Sequence, residues 1–329
     1  MAKLALSIAV GDYDRTRPLV DGSVPIDGVD PVAMTLEPEE IFFRAFRHAE
    51  FDICELSLSS FALKTARGDC AYVGVPVFPS RAFRHTAIYV RTDRGIRSPA
   101  DLVGRRIGTP EYQLTACVWA RALLEEGGVK RGDIRWVQGG LEQPGRPEKV
   151  AFELPADVRI EPAPEGASLS RLLEAGEIDG IVAPRAPSCH DRGHRHVGWL
   201  FADPTAAASE YFRRTGIFPI MHLVGVRRSL AERHPWLPSA VFKAFERAKA
   251  VATARLGDSS AAKVTLPFVE EQLKAARALM GRDFWSYGAE ANRGVLASFL
   301  EHHHAQGLSP RLIAVEELFH PATLESHKV

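Results

Sequence analysis

The stretch Ser98-Pro99-Ala100-Asp101-Leu102-Val103-Gly104-Arg105-Arg106-Ile107-Gly108-Thr109-Pro110 decides the fold. A serine followed by proline starts a helical turn: the hydroxyl can cap free amides, and proline lacks the amide that would go unpaired there. Residues 106–108 then open a strand. A helix follows at about 114–126, and Gly127-Gly128 ends it. Before this stretch, the apolar run 86–90 reads as another strand. Strand, turn, strand and helix in this order belong to a sheet covered by helices.

The same alternation extends outward. Residues 3–10 read as a strand. Residues 39–49 place Ile41, Phe42, Ala45 and Phe46 at helical spacing. Residues 51–56 are strand-like, and 59–67 start a helix with a serine cap. Downstream, 135–137 is a strand, 144–164 a proline-rich loop, 169–175 a helix and 178–182 a buried strand. Residues 184–203 are irregular and rich in histidine, and 219–226 are apolar and β-rich. Three helices close the chain, at about 235–255, 264–280 and 289–306. The expected class is α/β.

The chain has 329 residues, enough for two lobes with separate cores. Lys plus Arg equals Asp plus Glu at 41 each, so no basic excess points to nucleic acid. Anions must then be met by local clusters. The four cysteines, Cys54, Cys70, Cys117 and Cys189, lack metal or redox spacing and read as free thiols. The opening run is short, alternates and meets Asp12 and Asp14, so it reads as a first strand rather than a signal peptide. A cytoplasmic protein with no membrane partner is expected. Oligomeric state is not legible, although the last three helices could form an interface between copies.

Arg81, Arg84 and His85 fall within five positions before the 86–90 strand. Guanidinium forks match carboxylates, and a histidine can carry a proton near neutral pH. The segment is either an anion-binding catalytic site or a solvated basic turn. Asp12 and Asp14 follow the first strand, at an end where open α/β sheets take ligands.

The 98–110 phrase, and Leu172-Leu173-Glu174-Ala175-Gly176-Glu177-Ile178-Asp179-Gly180, resemble the type II periplasmic solute-binding proteins. That resemblance implies a two-lobed type II periplasmic-binding-protein-like fold with a ligand cleft between the lobes and C-terminal helices. The crossings would fall near 86–91 and 219–226. Lobe 1 would be 1–90 plus 220–329, and lobe 2 would be 91–219.

A narrower resemblance is to the 4,5-dihydroxyphthalate decarboxylase family. It is carried by residues 11–16, 55–60, 77–90, 110–115, 139–142 with 144–146, and 213–222, and it runs to about Trp236. It implies a carboxy-lyase acting on a small aromatic acid, with no organic cofactor; a divalent metal is left open. The reaction needs a clamp for two carboxylates, an acceptor for the catechol end and an acid near the carbon that loses carbon dioxide.

For the clamp the candidates are Arg81 and Arg84, with Arg15 and Arg214 behind them. His85 and His222 are the proton-transfer candidates. Glu55 is expected as a catechol-side base, its pKa raised by burial. Ser57, Ser59 and Ser60 offer hydroxyls and amides at a helix start, or are ordinary caps. Tyr112 could stack on the ring, and Gln113, Thr115, Glu111 and Asp12 could line the site. His190, His194 and His196 beside Cys189, and the run His302-His303-His304, are read as surface rather than as metal ligands.

Two other function classes share these features. One is a non-catalytic binding protein for an aromatic acid. The other is a different lyase, resembling chorismate dehydratase, which needs no catechol recognition. A decarboxylase of another hydroxylated aromatic acid is a third variant.

Overall fold

A computed structural model describes residues 3–145, 148–258 and 260–324. Its contacts divide the chain into two compact units. Unit 1 is Met1–Arg81, Ile220–Ala297 and Ile313–Val329; unit 2 is Ala82–Pro219 and Ser298–Leu312.

Unit 1 is built on a sheet of five strands: β1 (Leu4–Val10), β2 (Val29–Thr35), β3 (Ile53–Ser57), β4 (Tyr72–Arg81) and, from the far end of the chain, β11 (Ile220–Arg227). The order is β2-β1-β3-β11-β4. β1 runs parallel to β2 and β3, and β11 lies antiparallel between β3 and β4. Every residue of β3 is buried, as in a strand covered on both faces. The helix Pro38–His48 buries Ile41, Phe42 and Ala45 of the expected stripe.

Unit 2 carries six strands: β5 (Ile88–Arg91), β6 (Arg106–Thr109), β7 (Arg135–Gln138), β8 (Arg159–Pro162), β9 (Gly180–Val182) and β10 (Val197–Trp199). Their order is β10-β5-β9-β6-β7-β8. β6 is parallel to β7 and β9, whereas β5 is antiparallel to β9 and β10. The deciding stretch folds as read: Ser98 caps a helical turn at Pro99–Leu102, β6 follows, and the helix Thr115–Glu126 ends at Gly127.

Several elements differ from the sequence reading, with a common cause. β2 contains Pro31, and β4 contains Pro76 and Pro79. Proline removes a ladder donor and masks a strand in the sequence, yet both strands lie at sheet edges, where a missing donor is tolerated. β8, with Pro162, is likewise an edge strand inside the expected 144–164 loop. The 184–203 stretch holds the turn Ser188–Asp191 and β10, and a helix at Pro204–Thr215 follows.

The division also differs at two places. Residues 82–90, expected with the first lobe, belong to unit 2, because β5 pairs with β9 and β10. Ser298–Leu312 also joins unit 2. Phe299 packs on Trp119 at 5.5 Å, and Arg121 Nε donates to Gln306 Oε1 at 2.8 Å.

The exposed edge of β4 is covered by the chain itself. Gly74 bridges Phe319, and the amide of His320 donates to the Gly74 carbonyl at 2.9 Å. A Cβ on Gly74 would collide with the Leu318 carbonyl oxygen and lie 2.9 Å from Leu223 Cδ1. Gly74→Ala should therefore destabilise the fold by about 1–3 kcal/mol, the usual cost of overpacking. A urea midpoint equal to the parent's would show that this edge is not closed as described.

Candidate active site

In unit 1 the antiparallel register pairs His222 with Ser57 and Val224 with Glu55. Side chains alternate faces along a strand, so Glu55 and His222 share a face as diagonal neighbours. Glu55 Oε1 lies 2.5 Å from His222 Nδ1 and accepts from the Tyr13 hydroxyl at 2.9 Å; Oε2 accepts the Gly11 amide at 2.9 Å. Glu55 itself is 0% exposed.

Burial works against the Glu55 charge, but the His222, Gly11 and Tyr13 hydrogen bonds outweigh it and hold the carboxyl below the ordinary glutamate range. This corrects the expectation of a raised pKa. Glu55 is ionised, with both carboxylate oxygens engaged by donors. A nitrogen facing that carboxylate must carry the hydrogen, so His222 presents Nδ1–H to Glu55, which leaves Nε2 without that partner. Phe42 packs edge-on against the imidazole at 4.8 Å.

The turn after β1 is built to deliver these donors. The Thr16 hydroxyl donates to the Gly11 carbonyl at 2.7 Å and accepts the Tyr13 amide at 3.1 Å. A Cβ on Gly11 would lie 2.6 Å from Tyr13 Cζ, so only glycine leaves room for the phenol to reach Glu55. Burial, reinforced by the Glu55 charge, pushes the Tyr13 phenol up, so it stays a neutral donor.

Arg15 lies beside this cluster. Its guanidinium sits 4.4 Å from the Tyr13 ring centroid and 4.3 Å from that of Trp285. Nε donates to the Pro79 carbonyl at 2.6 Å, and Nη1 to Asp14 at 3.1 Å. Nη2 keeps both hydrogens among the described residues, and with the second hydrogen of Nη1 it forms an end-on fork for a carboxylate. Ser57, Ser59 and Ser60 are buried at the start of the helix Leu58–Arg67, with Ser57 at its cap position.

Two further unit 1 candidates have other work. Arg81 Nη2 donates to the Ser286 carbonyl at 2.7 Å and to Asn292 Oδ1, tying down a later segment. Burial lowers its pKa to about 10, which still leaves it charged. Asp12 forms an exposed ion pair with Arg17 at 2.8 Å.

Unit 2 holds the remaining candidates. His85 is 4% exposed and packs edge-on against Phe201 at 4.9 Å and Tyr211 at 5.5 Å. Burial pushes its imidazole down to about 4, so it is neutral at pH 7. These rings enclose the imidazole, and its Nδ1 has no hydrogen-bond partner among the described residues. Burial also lowers Arg84 to about 10, and its Nη1 lies 3.4 Å from the Pro184 carbonyl oxygen.

Tyr112 does not present its ring to a ligand. It is fully buried, stacked on Phe152 at 6.2 Å, with the Arg121 guanidinium 3.8 Å from its centroid. Gln113 Nε2 donates to the Val150 carbonyl at 2.8 Å, and Thr115 is buried in the first turn of its helix. Glu111 is taken by a buried ion pair with Lys149 at 2.9 Å. Arg214 pairs with Glu126 at 2.5 Å on the surface of its helix. Arg146, part of the 144–146 resemblance, lies outside the described residues.

Among the described residues no group of three or more His, Cys, Asp or Glu side chains could hold a metal. The three consecutive histidines diverge: His302 faces Glu125, and His304 faces the Ser309 carbonyl. Residues the sequence reading gave no role are Tyr13 and Trp285. Tyr13 lay inside the 11–16 motif; Trp285 lay beyond every motif.

The strand orders and directions of the two sheets define a periplasmic-binding-protein-like α/β protein. A family model described as NMT1/THI5 like matches residues 82–144. Escherichia coli SsuA, a periplasmic aliphatic sulphonate binding protein, superposes with a TM-score of 0.55 at 15% identity, covering 100% of this chain and 96% of that one. The chain is 63% identical over 330 residues to a 4,5-dihydroxyphthalate decarboxylase of Comamonas testosteroni, covering 100% of both proteins. A Pseudomonas putida protein of the same name is 63% identical over 214 residues, 65% of this chain and 83% of that protein. The chain belongs to the 4,5-dihydroxyphthalate decarboxylase family.

The caged His85 gives a pH test. Its folded pKa lies below the unfolded value of roughly 6.5, so the unfolded chain takes the proton first as pH falls. The stability tied to the neutral ring is complete above that value and is lost progressively down to about pH 4. Across this window the melting temperature of the parent should fall relative to His85→Phe. A constant gap between the two would show that His85 does not titrate in this way.

Proposed function

We propose that the chain is a carboxy-lyase that converts 4,5-dihydroxyphthalate to 3,4-dihydroxybenzoate and carbon dioxide. The observation that carries this is the 63% identity, over the whole length of both chains, to a protein named for that activity. The unit 1 cluster supports it with side chains suited to the chemistry.

Direct loss of carbon dioxide would leave an aryl anion. In the substrate one ring hydroxyl is para to the departing carboxylate, and this opens an easier route. A proton adds to the ring carbon that bears the carboxylate, and the para hydroxyl gives up its own. The resulting dienone expels carbon dioxide, the electron pair of the broken bond restores the aromatic ring as a phenolate, and that oxygen takes back the proton it gave up. The net change is one proton taken up by carbon and one carbon dioxide released.

In this reading His222 Nε2 is the proton-transfer atom. Glu55 positions the ring through Nδ1 and stabilises the imidazolium, as a buried carboxylate does behind a catalytic histidine. Arg15 holds a substrate carboxylate with its end-on fork. Tyr13 acts through both neighbours, with its hydroxyl on Glu55 and its ring on Arg15.

The test is carbon dioxide release from 4,5-dihydroxyphthalate by the purified protein, with and without a chelator. Release should survive chelation. His222→Ala should lower kcat by about 10²–10⁴-fold, the range for losing a general acid–base group. Glu55→Gln keeps the hydrogen bond but not the charge, and should lower kcat more than it raises KM. Binding without release would favour a solute-binding protein, the role named for the sulphonate-binding neighbour. Full activity in His222→Ala would remove that residue from the chemistry.

A further inference from the structure

Residues 285–292 join the helix Val269–Met280 to the helix Arg293–Ala305, past the last motif shared with the family. In unit 1 they are fastened along β4. Trp285 Nε1 donates to the Phe78 carbonyl at 2.9 Å, and the Gly288 amide donates to the Pro76 carbonyl at 2.8 Å. Arg81 donates to the Ser286 carbonyl at 2.7 Å and to Asn292. This anchoring sets the Trp285 ring against Arg15 and buries Tyr287 two positions on.

The Trp285 ring covers Arg15 at 4.3 Å, with Tyr13 at 4.4 Å. An arginine fixed by two rings and a carbonyl has little freedom left, so its fork is set in direction before a ligand arrives. Tyr287 is buried, packs edge-on against Phe78 at 6.4 Å, and carries the Lys249 ammonium 4.5 Å from its ring centroid. Its hydroxyl has no hydrogen-bond partner among the described residues. A buried phenol left unsatisfied is costly unless an incoming group accepts its hydrogen.

We propose that Trp285 and Tyr287 form the element that recognises the carboxylates of a bound aromatic dianion: Trp285 positions the Arg15 fork, and the Tyr287 hydroxyl donates to the ligand. This deepens the unit 1 reading and rests on it. Through this element the covered edge of β4 would set a preference for two carboxylates over one.

The experiment is calorimetric titration of the full-length protein with phthalate and with benzoate. Neither carries the ring hydroxyls, so neither is turned over, and the titration reads recognition even where carbon dioxide release fails. The parent should prefer phthalate. Trp285→Leu should weaken phthalate binding by at least about ten-fold while changing benzoate less, and Trp285→Phe should restore most of the loss. Tyr287→Phe removes one oxygen from the buried ring and should also weaken phthalate. Failure of the parent to bind phthalate, or phthalate binding unchanged in both Trp285→Leu and Tyr287→Phe, overturns the inference.

Discussion

A carboxylate buried to zero exposure within a five-stranded sheet must be protonated or surrounded by donors. Glu55 takes the second course, and much of unit 1 follows from it. Gly11 stays glycine so that Tyr13 can reach the carboxylate. Thr16 closes the turn that holds both donors. The β3–β11 register places His222 where its Nδ1 meets the same oxygen as the Tyr13 hydroxyl. The charge in turn fixes which imidazole nitrogen carries the hydrogen, so one buried group links turn, register and tautomer.

The second constraint is the edge of β4. Two prolines weaken it as a central strand, and the fold covers it from outside with residues 285–292 and 319–320. A covered edge cannot template pairing with another chain. The same covering delivers Trp285 to Arg15, so a structural necessity and a recognition geometry share one segment.

Local pattern was enough to read most of the architecture. Ile41, Phe42 and Ala45 announced a helix by spacing, and Ser98-Pro99 announced a turn by chemistry. Strands carrying Pro31, Pro76 or Pro79 escaped, because proline signals a break unless the strand is known to be an edge. The site was legible as residues and not as states. Glu55 and His222 were both singled out, but the donors that keep Glu55 charged come from positions 42, 44 and 167 residues away. Burial was foreseeable and compensation was not. The surroundings of His85 were hidden in the same way: Phe201 and Tyr211, which enclose its neutral ring, lie more than a hundred positions on. Tyr112 and Arg214 stood in suggestive places, yet one fills a core with Phe152 and Arg121 and the other an ion pair with Glu126.

The account depends on Glu55 holding the hydrogen at His222 Nδ1. The most direct measurement is long-range ¹⁵N–¹H correlation of protein labelled in its histidine rings, with the His222 signals assigned by their absence in His222→Gln. Protonated Nδ1 across the neutral pH range is the predicted result, with Glu55→Ala, which removes the acceptor, releasing that preference. A His222 ring whose Nδ1 is bare and whose proton sits on Nε2 would contradict it.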